Sequence, residues 1–441
     1  MRIGTELPRA GRRLTRARLL RATAAGAAAL SLAGGLAACG DSGSSDSGGG
    51  DGGGDLRVIA VADQKPALDP LIKAYESANP DVRITATYAP TDQVQTSVRT
   101  QLGAGNAPDV HVVYPGSGSA MSMAEIARAG LLADLDDQAW TRSIPASLDG
   151  AFRVDGKTYL YSAGSSVIGA IYNRRAFERA GVEIPRTWSE LIASCAAFRR
   201  AGIVPIALGA QTPWVTQLIT YALVPSTVYA RDPRFDDQQL AGERSFSDSG
   251  WRDAMEKYLE LQREGCFNDN PNGTTFEQQT SMVGTGRAAM AVQVSAVLAG
   301  FRDAAGADRD DISMFPFPGA ENPADNWIPA GVVVGLGVSV RGNTEGGKRF
   351  IAYLGEPENM NRWASAVAAI PLVRDDSTRI DPALESFLPY IDDSKAVPFM
   401  DQRWPNAEVQ PTHFAVIQEL LAGKTDVAGA LKKMDDAYGK Q

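Results

Sequence analysis

Two histidines (His111, His413) and three cysteines (Cys39, Cys195, Cys266) are the whole supply of those residues in 441 positions. A His-rich metal site or a His-based catalytic group has little to draw on. His111 lies inside an apolar run and reads as core, and His413 has no evident partner. Gly342-Asn343-Thr344-Glu345-Gly346-Gly347-Lys348 nearly spells a phosphate-binding loop, but Arg349 stands where Ser or Thr would hold Mg²⁺. Gly284-Thr285-Gly286 with Ala289 gives half a dinucleotide fingerprint and lacks the strand that should precede it. Ser165 and Ser166 follow Gly164, yet Ile168 fills the last glycine position of a Gly-x-Ser-x-Gly elbow. Acidic clusters (Asp134, Asp136 and Asp137; Asp236 and Asp237; Asp392 and Asp393) could supply the carboxylate pair of a glycan hydrolase, but they read as solvated surface. The sequence therefore predicts no catalytic group, no metal and no cofactor. An exported carbohydrate-active enzyme stays open as an alternative.

The chain carries 43 Lys and Arg against 52 Asp and Glu, a formal charge of −9, with 44% hydrophobic residues. This is ordinary globular usage with room for two or three domains. The acidic balance argues against nucleic acid as a partner. Residues 1–38 read as an export signal: Arg2, Arg9, Arg12, Arg13, Arg16, Arg18 and Arg21, then an Ala/Leu-rich run ending Leu36-Ala37-Ala38-Cys39. Leu-Ala-Ala-Cys resembles the bacterial lipobox, in which the Cys39 thiol takes a diacylglycerol. An ordinary signal peptide with an incidental cysteine is the alternative reading. Arg12-Arg13-Leu14 leaves the Sec and Tat routes both open. Removing 1–38 takes away those seven arginines and Glu6, so the net charge moves from −9 to −15. Such a surface repels anionic headgroups, so an acyl chain has to supply the anchoring. Residues 39–55, Gly, Ser and Asp after Cys39, read as a flexible tether. The expected location is extracytoplasmic, lipid-anchored to the outer face of the bacterial cell membrane.

Periodicity predicts the elements that follow. Residues 56–61 read as a strand, and Leu68, Leu71, Ile72 and Tyr75 recur at helical spacing. Val82, Ile84, Ala86 and Tyr88 alternate as a strand; Val94, Val98 and Leu102 return to helical spacing, and 109–114 is a third strand. Alternation of this kind predicts a parallel sheet covered by helices, with ligands beyond the carboxyl ends of its strands. The pattern resets after 159. A β-prone stretch runs to Asn173, and Thr187 with Glu190 forms a capping box on a helix. Further strands fall at 204–208, 288–292 and 328–340, a helix at 251–264, and helices dominate from 348 onward.

Several segments together resemble the extracellular solute-binding proteins that serve sugar ABC importers, the maltose-binding-like class. They are Leu102-Gly103-Ala104-Gly105-Asn106-Ala107-Pro108-Asp109-Val110, Tyr161-Ser162-Ala163-Gly164-Ser165-Ser166 through Tyr172-Asn173-Arg174, and Thr187-Trp188-Ser189-Glu190-Leu191. Gly202 through Gly209, Gly286-Arg287-Ala288-Ala289-Met290, Phe315-Pro316-Phe317-Pro318-Gly319 and 349–372 complete the series in the family's order. The resemblance implies an α/β, periplasmic-binding-protein-like fold of type II: two α/β lobes joined by a multi-crossing hinge. The expected first lobe is 56–162 plus 285–322, and the second 163–284 plus 323–441, with crossings near 160–166, 284–296 and 320–330. The implied function is a monomeric substrate-binding lipoprotein that captures a sugar or oligosaccharide by hinge closure and delivers it to the transmembrane subunits of an ABC permease. A binder of a polyol, a glycerophosphodiester or another non-sugar solute is the further alternative.

A sugar presents hydroxyls and apolar C–H faces, so a site for one needs planar polar groups and flat aromatic rings. Loops at the expected lobe junctions offer the aromatics Tyr114, Trp214, Trp327 and Trp404. They offer the polar groups Asp63, Gln64, Ser117, Ser162, Gln293 and Arg403. Cys195 and Cys266 form an even pair once Cys39 is set aside, which in an exported protein points to a disulfide; two separate buried thiols are the alternative.

Overall fold

The computed structural model describes residues 54–439, apart from 120, 373 and 375–377. The expected export signal, Cys39 and nearly all of the expected tether lie outside the described residues.

Two sheets organise the body, each with its own hydrophobic core. The first has four strands in the order Gly335–Val338, Val110–Val113, Leu56–Val61, Ile84–Ala89. The last three are parallel neighbours, and Gly335–Val338 joins antiparallel. Val110–Val113 is buried at all four positions, as an inner strand covered on both faces must be. Ile84–Ala89 is the edge strand, and its burial alternates. Helices Lys65–Ala78 and Thr91–Ala104 connect the parallel strands. The second helix stops at Gly105, whose φ of 75° is the left-handed conformation a glycine adopts without steric cost.

The second sheet is built on the ten-residue strand Gly164–Asn173. Along its length this strand pairs with Ile370–Pro371, Ile328–Gly331, Ala288–Val294 and Ile312–Phe315. Val204–Ile206 extends the sheet beyond Ala288–Val294. The predicted capping box forms: the Thr187 hydroxyl accepts from the Glu190 backbone N–H, and the Glu190 carboxylate accepts from that of Thr187.

The expected lobe boundaries need two corrections. Residues 285–322, expected in the first lobe, carry strands of the second sheet, because Ala288–Val294 is buried at every position between Gly164–Asn173 and Val204–Ile206. The stretch 332–367, expected in the second lobe, packs on the first core. Its helix Thr344–Leu354 places Phe350 and Tyr353 about the Tyr75 ring at centroid distances of 5.2 and 5.0 Å. The predicted single strand 328–340 is thus two strands in different sheets.

The chain crosses between cores at 163–164, 331–332 and 367–370, and 284–296 is no crossing. The three crossings lie side by side in one small patch of sheet: Gly164 pairs with Pro371, Ser165 with Ile370, and Ser166 with Gly331. Neighbouring backbones that exchange hydrogen bonds can flex together with small φ/ψ changes, which suits a hinge.

Cys195, on helix Trp188–Arg200, and Cys266, just after helix Trp251–Arg263, are joined as a disulfide with Cα atoms 5.1 Å apart. Among the described residues, no helix is long and apolar enough to cross a membrane.

Candidate functional site

The carboxyl ends of the three parallel strands converge on one side of the first lobe. After Val61 a short 3₁₀ turn presents Asp63 and Gln64; after Ala89 the N-terminal end of helix Thr91–Ala104 presents Thr91, Asp92 and Gln95; after Val113 comes Tyr114. Facing them from the second lobe are Trp214, then Gln217 and Tyr221 one helical turn apart, Asp401 and Gln402 from a 3₁₀ turn, and Gln410 and Phe414 one turn apart on helix Val409–Leu421. The hinge residues Ser162, Gly164 and Ser166 form the back wall. Together these groups enclose a cavity of about 210 Å³.

Of the residues expected at the site, Asp63, Gln64, Tyr114, Ser162 and Trp214 line this cavity, and five others do not. Gln293 is wholly buried in the second core, where its amide Nε2 donates to Gln279 Oε1 at 2.7 Å. Trp404 is 1% exposed and packs in a cluster with Tyr221, Phe246, Trp251 and His413. It braces the ring of Tyr221 from behind and does not meet the cavity. Arg403 points outward to Asp236 and Asp237, at 3.4 and 2.8 Å. Trp327 lies off the cavity, and its backbone N–H donates to the Ser226 hydroxyl. Ser117 joins the lobes: its N–H donates to the Gln402 carbonyl at 3.4 Å and its hydroxyl to the Trp404 carbonyl. On either side of it, a Cβ built on Gly116 or Gly118 would sit 2.1 Å from the carbonyl oxygen of Gln402 or Asp401. That approach of first lobe to second requires glycine at both positions.

Sequence reasoning missed polar groups on both lobes: Thr91, Asp92 and Gln95 on the first, and Gln217, Tyr221, Asp401, Gln402 and Gln410 on the second. Gln410 Nε2 donates to Asp401 Oδ2 at 3.0 Å and, more weakly, to Gln217 Oε1 at 3.3 Å. The Tyr221 hydroxyl lies against the Asp401 carboxylate. A polar residue recurring four positions from an aromatic, as in Gln217/Tyr221 and Gln410/Phe414, was the available signal.

Burial dominates the electrostatics. The Asp401 carboxyl is pushed up to about 6 by burial, against a partial pull from its Tyr221 contact. Asp63 and Asp92 are also raised, first by desolvation between the lobes and then by repulsion from Glu277, which stands on the second lobe. The Tyr114 hydroxyl is pushed up to about 12 by burial. His413, which accepts or donates at the Thr220 hydroxyl (2.9 Å), is held down at about 3 by burial, so it is neutral at physiological pH. Among the described residues that line the cavity, none is Lys, Arg or His. Among the described residues, no cluster of three or more His, Cys, Asp or Glu could hold a metal ion.

A family model for bacterial extracellular solute-binding protein matches residues 61–361, and the chain belongs to that family. It is 23% identical over 325 residues to the multiple sugar-binding protein of Streptococcus mutans, covering 71% of this chain and 75% of that one. It is 32% identical over 139 residues to a probable sugar-binding periplasmic protein of Rhizobium meliloti, covering 30% and 32%. Among solved structures, a chitin oligosaccharide binding protein matches with a TM-score of 0.74 at 22% identity, over 87% of this chain and 98% of that one. The GacH receptor of Streptomyces glaucescens, solved unliganded and with acarbose, matches with a TM-score of 0.73 at 19% identity, over 87% and 97%. The fold is thus the two-lobed α/β class of type II periplasmic binding proteins, and family membership places the protein outside the cytoplasm.

Proposed function

We propose that this protein is the substrate-binding component of an ABC importer, capturing a sugar or oligosaccharide between its lobes and presenting it to the permease. The observation that carries this reading is the cavity itself. Polar side chains enter it from both cores, Trp214 and Phe414 offer ring surface, and three hydrogen-bonded crossings stand at its back. A hydroxyl-rich ligand touching both lobes stabilises whichever hinge angle brings them together, and a permease that recognises that angle reads occupancy. The sugar-binding names of the relatives from Streptococcus mutans and Rhizobium meliloti support the same reading. A glycerophosphodiester would need a cation for its phosphate, and the described cavity residues supply none.

Anchoring follows from Cys39 acylated at the outer face of the membrane, with the Gly/Ser/Asp tether letting the body reach the transporter. The bridge between Cys195 and Cys266 suits that oxidising location.

The test is a thermal-shift screen of purified protein against mono- and oligosaccharides. A ligand at 100 times its dissociation constant adds about 2.7 kcal/mol of stability, which such a screen detects readily. Failure of every sugar, or release of product from a bound oligosaccharide, would refute the proposal.

A further inference from the structure

The lobes touch beside the cavity as well as around it. After strand Val110–Val113 and before helix Met123–Arg128, the first lobe carries a loop whose tip is Gly116-Ser117-Gly118. The base of the loop is laced to its own lobe. The Tyr114 N–H donates to the Met121 carbonyl at 3.0 Å, and the carbonyls of Tyr114 and Gly116 accept from the N–H groups of Met123 and Ala124 at 2.7 and 3.1 Å. The tip bonds instead to the second lobe. The Ser117 hydroxyl donates to the Trp404 carbonyl at 2.5 Å, and its N–H to the Gln402 carbonyl at 3.4 Å. With no room for a Cβ at Gly116 or Gly118, the two lobes meet there backbone on backbone.

The partner of the tip, the 3₁₀ turn Met400–Arg403 with Trp404, is firmly held. Trp404 and Met400 are each 1% exposed in the second core. Gln402 N–H donates to the Phe399 carbonyl at 3.1 Å and Trp404 N–H to the Asp401 carbonyl at 3.2 Å. This one turn faces three places. The Asp401 side chain meets the cavity, Gln402 Nε2 donates at 2.6 Å to the Val332 carbonyl where the chain crosses between lobes, and the backbone meets the loop tip. Tyr114 and Ser119, at the two ends of the loop, line the cavity, whereas Gly116, Ser117 and Gly118 are not among its lining residues. The contact therefore joins the lobes without touching the space a ligand fills.

We infer that Gly116-Ser117-Gly118 is a latch that favours the closed form with or without ligand, and that Ser117 is a positioning residue, raising affinity without touching the sugar. This goes beyond capture between the lobes and rests on that reading for its ligand arm only. When the hinge opens, water takes over the two hydrogen bonds of Ser117, so the net bias is that of a single hydrogen bond. A bias of that size lets an empty cleft open and still adds to whatever contacts a ligand makes on closure.

The test has two arms. Calorimetry of the parent and of Ser117→Ala is run with glucose, galactose, maltose, cellobiose and raffinose. Every sugar that binds the parent should bind the variant about two- to tenfold more weakly, by the same factor for each. Small-angle X-ray scattering without ligand is run on the parent, Ser117→Ala and Gly118→Ala. The radius of gyration should be larger in Gly118→Ala than in the parent, with Ser117→Ala between them; Ser117→Ala carries the comparison should Gly118→Ala fail to fold. A loss of affinity that differs from sugar to sugar overturns the inference, because Ser117 would then contact ligand. Unchanged scattering overturns it too, whether affinity falls or not, because the loop would then shape the site or stay docked at every hinge angle. If no sugar binds the parent, the sugar-binding reading falls and the ligand-free scattering alone decides the latch.

Discussion

Asp401→Asn separates a residue kept for ligand from one kept for the fold. Its carboxyl is raised from the usual 3.8 to about 6 by burial, so the folded protein holds its proton more tightly than the unfolded chain does. For a carboxyl raised in this direction, ionisation works against folding. Stability contributed by the protonated form is lost as pH rises from about 4 through 6, and the full cost is present above that. A shift of about two pK units corresponds to about 3 kcal/mol at most. Allowing for water entering from the cleft, about 1–3 kcal/mol is expected. The amide keeps an oxygen for Gln410 Nε2, whose bond to Asp401 Oδ2 is 3.0 Å long, and carries no charge. The variant should therefore unfold at higher denaturant than the parent at pH 7.5 and at the same denaturant at pH 4. The assay is urea unfolding of both proteins, without ligand, at half-unit steps from pH 4 to 8. The variant should also bind sugar more weakly, since a charge-assisted acceptor has been replaced by a neutral one. Equal stability at pH 7.5, or a difference that does not change with pH, would refute the reasoning.

Other outcomes follow from the same structure. Gly118→Ala places a Cβ 2.1 Å from the Asp401 carbonyl, so the lobes cannot approach as they do here; sugar affinity measured by calorimetry should fall at least tenfold, on the order of 1.4 kcal/mol. Trp404→Ala should cost about 3–5 kcal/mol in chemical denaturation, because the ring is buried core. Trp214→Ala, half-buried at the cavity, should mainly weaken sugar binding. Replacing Cys195 and Cys266 together by Ala should lower stability by about 2–4 kcal/mol, as loss of a cross-link closing a loop of 71 residues does, read by calorimetry under non-reducing conditions.

The first lobe was legible because its signal is local. Each parallel strand shows its own apolar run, each connecting helix its own period, and the carboxyl-end rule then delivers Asp63, Gln64 and Tyr114 directly. The second lobe was legible in its elements and not in its assembly. Ala288–Val294 carries no mark of which sheet it enters; that is decided by pairing with Gly164–Asn173, more than a hundred residues away. The same holds for 332–367, whose helices return to cover the first core. Trp404 and Arg403 drew notice through residue type, whereas the groups that line the cavity are their neighbours Asp401 and Gln402. In a 3₁₀ turn, a shift of one or two positions moves a side chain from cavity to core or to solvent, and no periodicity records which. Gln293 was misplaced for a related reason: a polar residue in a buried strand can be satisfied by a core partner such as Gln279 as well as by a ligand.

The central claim is capture of an intact small polar molecule by two lobes. Native mass spectrometry of the purified protein, incubated with a panel of mono- and oligosaccharides, tests it most directly. The account predicts a single adduct per chain at the mass of the unaltered sugar, displaced by excess of the same sugar. A spectrum showing only unliganded protein across the whole set, or fragments of a cleaved oligosaccharide, would contradict it.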